Sequence, residues 1–216
     1  MKSILRITSS PRGHQSESYR LSQAVVERLI AQYPAARLIE RPLAGAGAGH
    51  VDEDYADVLG GFAAPAGKDH LGTLAASEQM IRELEETDCL VIGTPMHNYT
   101  VPSNLKAWID HVVRVYRSFQ PTRQGKIGTL RDRPTFVAVA SGGTYADEPP
   151  RQPDFLTPYL TAVLNTIGIR DITFFSVQGT AADPDKVGAA RSCAIASIDA
   201  HFHASTVQRG AEIPAL

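Results

Sequence analysis

Five short apolar runs, separated by segments of helical periodicity, set the strongest constraint on what this chain can fold into. The runs cover residues 4–8, 36–40, 88–93, 135–140 and 172–177. Between them, Leu21, Val25 and Leu29 recur at four-residue spacing, and Leu74, Ile81 and Leu84 share one face of residues 71–86. Residues 105–113 read as a helix after the third run, and residues 155–167 as a helix closed by Gly168. Pro184 suits the first turn of a last helix running to about residue 203, with a frayed tail after Gly210. Strands and helices in alternation specify an α/β fold, a five-stranded parallel sheet with right-handed crossovers and helices on both faces. Residues 1–216 read as one domain with a sizeable core.

Two segments stand outside this alternation. Residues 44–68 are rich in Gly, Ala, Pro and Asp and read as a surface excursion with a short helix near 51–59. The glycines at 45, 47 and 49 follow Pro42 and open no periodic helix, so they are not read as a dinucleotide loop. Residues 120–132 are polar, contain Gly125 and Gly128, and read as a long loop.

Charge and cysteine usage narrow the function. A net charge of -2 leaves no electrostatic footprint for nucleic acid or an anionic membrane surface. Cys89 and Cys193 have no metal-ligand spacing and read as reduced thiols, and no metal is expected. The amino-terminal apolar run is broken by Arg6 and is too short for a signal peptide or a membrane span. A cytoplasmic location is expected by elimination.

In a sheet of this kind, ligands sit where the loops leaving the carboxyl ends of strands one, three and four converge. The first loop carries Ser9, Ser10, Ser16, Glu17 and Ser18 ahead of a helix, with Ser18 the expected cap. Hydroxyls beside a helix N-terminus suit one phosphate. The loop is neither a Walker motif nor a G-x-G-x-x-G turn, which disfavours nucleoside triphosphate hydrolysis and a Rossmann pyrophosphate clamp. The second loop, with Pro95 and Pro102 fixing its ends, offers Met96, His97, Asn98 and Tyr99, a soft apolar surface with polar edges suited to a planar ring. The third loop sets Gly142 and Gly143 directly after a strand, where the backbone can approach a ligand closely. Each loop alone is compatible with an ordinary turn. Together on one rim they describe a flavin mononucleotide pocket.

At these residues the chain resembles the FMN-dependent NADH-azoreductase family, within the flavodoxin-like NAD(P)H:quinone oxidoreductases. The resemblance runs through Ser9-Ser10, Ser16-Glu17-Ser18, Pro95-Met96-His97-Asn98-Tyr99, Leu105-Lys106, Gly142-Gly143, Thr157-Pro158-Tyr159-Leu160 and Ile167-Gly168-Ile169, almost the whole chain. It implies a homodimer with bound FMN, with the phosphate on Ser10 and Ser16 to Ser18. The flavin ring would lie against Met96, His97, Asn98 and Tyr99, and its pyrimidine edge near Ser141, Gly142 and Gly143. The implied reaction is ping-pong: NADH or NADPH gives a hydride to flavin N5 and leaves, and a quinone or azo compound takes two electrons. No side chain need act as a nucleophile. Many members read Ser-Arg-Gly-Gly where this chain has Ala140-Ser141-Gly142-Gly143, so a basic residue is absent at the flavin's edge. Aromatic residues that line the substrate slot in some members correspond here to Pro121 and Val163, leaving Phe119 and Tyr145 as candidate walls. Two other readings compete. An electron-carrier flavodoxin would be more acidic for docking, and a flavin-free interaction module could use the same fold.

Overall fold

A computed structural model of the chain describes residues 1–45, 47–60, 72–146 and 149–211, with side chains as far as 204. Its strands in chain order are β1 (Ser3–Thr8), β2 (Arg37–Pro42), β3 (Cys89–Pro95), β4 (Phe119–Thr122), β5 (Gly125–Gly128), β6 (Thr135–Ala140) and β7 (Ile172–Val177). The helices are α1 (Glu17–Gln32), α2 (Glu53–Gly60), α3 (Gly72–Glu86), α4 (Ser103–Val112), α5 (Leu156–Ile167) and α6 (Pro184–Ala211). Five strands form one parallel sheet in the order β2-β1-β3-β6-β7. The expected sheet is therefore present, in the doubly wound order whose reversal point lies between β1 and β3.

Burial explains why these runs become strands. Residues 89–94 and all of β6 are buried, so both faces must be apolar, and a parallel pair covered by helices demands that. Leu90 and Ile92 of β3 face a core shared with Leu84, Leu105, Trp108 and Leu160. Cys89 and Val91 face the opposite core with Leu21, Val25, Phe175 and Ile198. Arg6, in the middle of β1, is 2% exposed yet satisfied. Its guanidinium donates to Glu40, Gln23 and the Tyr19 hydroxyl and lies over the Tyr19 ring, tying β1, β2 and α1 together.

Three expectations are corrected here. The α1 cap is Ser16, not Ser18: Ser16 Oγ accepts from the Tyr19 amide at 3.2 Å, two residues before the position assigned from sequence. Residues 120–132 are not a plain loop, because β4 and β5 pair there as an antiparallel hairpin. The hairpin was hidden because, beyond Phe119, its residues face solvent and show no alternation. Gly128 abuts the backbone of Ile167 and Gly168, where any Cβ would overlap, so the hairpin packs on the carboxyl end of α5. The last helix also runs further than expected, through Ala211. The rest of the expected tail, and residues 46 and 61–68 of the excursion, lie outside the described residues. No helix among the described residues is long and apolar enough to cross a membrane.

Candidate functional site

The carboxyl ends of β1, β3 and β6 open onto one cleft of about 700 Å³, well within the range of small-ligand and cofactor sites. Its floor at one end is the turn into α1. Ser9 is scaffold there: its Oγ donates to Thr94 Oγ1 at 2.9 Å, and its carbonyl accepts from Asn104 Nδ2 of α4 at 2.9 Å. Ser10 Oγ accepts from the Arg12 amide, which leaves its own proton to offer. Ser16 Oγ spends its proton on the Gly13 carbonyl at 2.8 Å. Ser18 is fully buried with its Oγ 3.4 Å from Ser16 Oγ. The Tyr19 amide is taken by the cap and the Arg20 amide by the Ser16 carbonyl. That leaves the amides of Glu17 and Ser18 among the donors a helix start cannot pair within itself. Gly93 makes this geometry possible. A Cβ there would lie 2.8 Å from Ser22 Oγ and 3.0 Å from the Ser18 carbonyl, so only glycine lets α1 sit this close to β3.

The middle of the cleft is the loop after β3. Met96 continues the strand pairing through its amide to the Ala140 carbonyl at 2.8 Å. His97 and Thr100 then exchange two backbone hydrogen bonds around Asn98 and Tyr99. Both central residues have positive φ, 49° and 71°, the signature of a type I′ turn. Asn tolerates this region; Tyr is strained in it. The turn holds because the Tyr99 carbonyl accepts from the Phe155 amide at 3.0 Å, fastening its tip to the start of α5.

The third loop is braced rather than free. Gln152 Nε2 donates to Ser141 Oγ at 2.8 Å and to Met96 Sδ at 3.0 Å, joining the second and third loops. The carbonyls of Ser141 and Gly142 accept from the amides of Thr180 and Ala181. These come from the segment after β7, which closes the cleft with Thr180, Ala182, Pro184, Val187 and Arg191. That wall was missed from sequence. The available signal was Pro184, a helix start directly after the fifth strand, whose place beside β6 brings it to the rim.

The structure gathers Ser10, Ser16, Glu17, Ser18, Met96, His97 and Gly142 on the cleft wall. Asn98 and Tyr99 stand exposed at the turn tip next to it. Ser141 is buried with its Oγ 3.7 Å from Met96 Sδ, and Gly143 packs against Gln152, where a Cβ would collide with the side-chain amide. Tyr145 and Val163 are part-buried against the core. Phe119 lies in the hairpin at the far end of α5, away from this chain's cleft, and is itself buried. Glu17 differs in chemistry from its neighbours, since a carboxylate repels a phosphate. Arg191 and Arg20 bond it, and the Arg191 hydrogen bonds hold its carboxyl below the usual carboxylate range. Its expected contribution therefore falls to its backbone amide. One end of the cleft fits a phosphomonoester, with a free hydroxyl proton, helix-start amides and guanidiniums. The other, with Pro95, Met96 and the Gly142 backbone, fits a flat ring with polar edges. FMN has these two ends.

A parallel sheet in this order, with a cleft at the reversal of strand order, is the flavodoxin-like arrangement. The model of a flavodoxin-like-fold family matches residues 2–202. FMN-dependent NADH:quinone oxidoreductase 4 of Pseudomonas fluorescens is 44% identical over 182 residues, 83% of this chain and 85% of that one. Among solved structures, an azoreductase from Bacillus anthracis has a TM-score of 0.80 at 22% identity, over 94% of this chain and 99% of that one. An FMN-dependent NADH-azoreductase of the same species, in complex with FMN, has a TM-score of 0.76 at 22% identity, over 94% and 100% of the two chains. At that identity these structures speak to the fold. The chain belongs to the flavodoxin-like family and, within it, to the FMN-dependent NADH:quinone oxidoreductases.

Proposed function

We propose that this protein is an FMN-dependent NADH:quinone oxidoreductase. The observation that carries the reading is the cleft at the sheet's reversal point, with a phosphate-receptive end and a ring-receptive end, in a chain 44% identical to an enzyme of that name. Bound FMN supplies the hydride chemistry, so NADH and the electron acceptor can use one site in turn. The chain's own part is to bind and orient. Ser10 Oγ and the amides of Glu17 and Ser18 take the phosphate; Ser16 caps the helix that presents them. Met96, held by Gln152 and Ser141, forms the shelf for the ring. The turn at Asn98 and Tyr99 sets the ring's polar edge, and Gly142 allows backbone approach opposite.

Quinones are the proposed acceptors, and azo compounds are a second class suggested by the fold neighbours. A carrier flavodoxin is not favoured. Exposed Tyr99, Tyr116, Ile127 and Phe155 support a homodimer, since exposed large apolar side chains are a common interface signal. Two free thiols, Cys89 and Cys193, support a reducing, cytoplasmic setting. The test is steady-state oxidation of NADH and NADPH across a small panel of quinones and azo dyes by the FMN-loaded protein. Quinone-dependent NADH oxidation is expected; turnover no faster than free FMN would overturn the reading.

A further inference from the structure

Glu17 is the one acidic side chain on the described cleft wall, and it is fully engaged. Arg191 donates to it through both arms of its fork, Nε to Oε2 at 2.6 Å and Nη2 to Oε1 at 2.7 Å. Arg20 Nη1 reaches Oε1 at 2.8 Å. The pair ties the first turn of α1 to α6 across the cleft mouth. A guanidinium has five N–H donors, so Arg191 keeps three beyond those given to Glu17, and it lines the cleft. Arg12 and Arg20 line it too. Three guanidiniums against one carboxylate leave a net of two positive charges, beside a helix N-terminus that adds to them. A phosphomonoester carries about 1.5 to 2 negative charges near neutrality.

We propose that Arg191 binds the FMN phosphate, and that Glu17 is the positioning residue that aims it. The inference rests on the FMN reading of the cleft. A fork fixed by a carboxylate loses little further side-chain freedom when it takes an anion, which favours binding. A plain strut between α1 and α6 would use the same ion pair, but would treat ligands with and without a phosphate alike.

The experiment titrates the full chain, stripped of flavin, with FMN and separately with riboflavin, following quenching of flavin fluorescence. The variants are Arg191→Gln, Glu17→Gln and the double variant. The double variant removes both partners of the Arg191 pair and strips a carboxylate only from the exposed Arg20, so it serves if Arg191→Gln alone is unstable. Arg191→Gln should weaken FMN roughly ten- to hundredfold and leave riboflavin unchanged. The double variant should bind FMN about tenfold or more weakly than Glu17→Gln. Equal weakening of both flavins, or a double variant that matches Glu17→Gln, overturns the inference and leaves the FMN reading intact. A wild-type chain that binds neither flavin overturns both.

Discussion

Ser10 and Ser16 look interchangeable in sequence, and the structure gives them opposite roles. Ser16→Ala removes a helix cap and a hydroxyl that donates to the Gly13 carbonyl at 2.8 Å. Loss of the cap costs about 1 kcal/mol, and the deprived carbonyl, at a partly solvated turn, adds up to about 1. The expected loss is about 1 to 2 kcal/mol, a melting-temperature drop of a few degrees for a chain of this size. Its effect on FMN should be under about tenfold, because its proton already serves the backbone. Ser10→Ala removes an acceptor for one amide at 3.3 Å, a weak contact whose loss should change stability by less than about 0.5 kcal/mol. It also removes a hydroxyl proton free to donate into the end of the cleft proposed for the phosphate. A hydrogen bond to a charged group is worth about 1.5 to 3 kcal/mol, so FMN affinity should fall about 10- to 100-fold. Urea unfolding and fluorescence titration with FMN read the two effects separately. If Ser16→Ala weakened FMN more than Ser10→Ala, or Ser10→Ala left FMN binding unchanged, the proton assignment would be wrong.

Three further outcomes are expected. Gly93→Ala should lose about 1 to 3 kcal/mol by urea unfolding and weaken FMN, because its Cβ pushes α1 from β3; unchanged values for both would contradict the packing argument. Asn98→Gly keeps the left-handed turn but deletes the amide side chain, so hydride transfer in rapid mixing with NADH should slow at unchanged stability; an unaltered rate would remove Asn98 from the site. Glu78, bonded by Arg117 and Arg114, has its carboxyl lowered from 4.5 to about 2. A folded-state value below the unfolded one contributes stability above about pH 4.5 and loses it as pH falls toward about 2; the amount is on the order of 3 kcal/mol. Glu78→Gln should therefore lower stability at neutral pH and flatten the acid limb between those values; parallel wild-type and variant pH curves would refute this.

The sheet was legible because β3 and β6 are buried on both faces and cannot avoid reading as short apolar runs. The three loops were legible because parallel topology dictates which strand ends meet. What was not legible depended on contacts between distant residues. Arg191 closes the cleft from 174 positions beyond Glu17, and no local pattern announces that. Sequence position groups Glu17 with the serines of the first loop, whereas its carboxylate serves two arginines. Ser16 and Ser18 both satisfy the residue preference for a cap, and only backbone geometry separates them. The hairpin of β4 and β5 escaped because residues 120–128 are largely exposed. Phe119, a candidate pocket wall in sequence, lies in that hairpin at the carboxyl end of α5.

On the proposed function, this cleft holds FMN and passes a hydride from NADH to a quinone through it. The most direct measurement loads the full chain with FMN without oxygen, adds one equivalent of NADH, and then one equivalent of a quinone, following the visible flavin absorbance. NADH should bleach the bound flavin, the quinone should restore it, and the two steps together should match the steady-state rate. A flavin that stays oxidised after NADH, or stays bleached after the quinone, would contradict it.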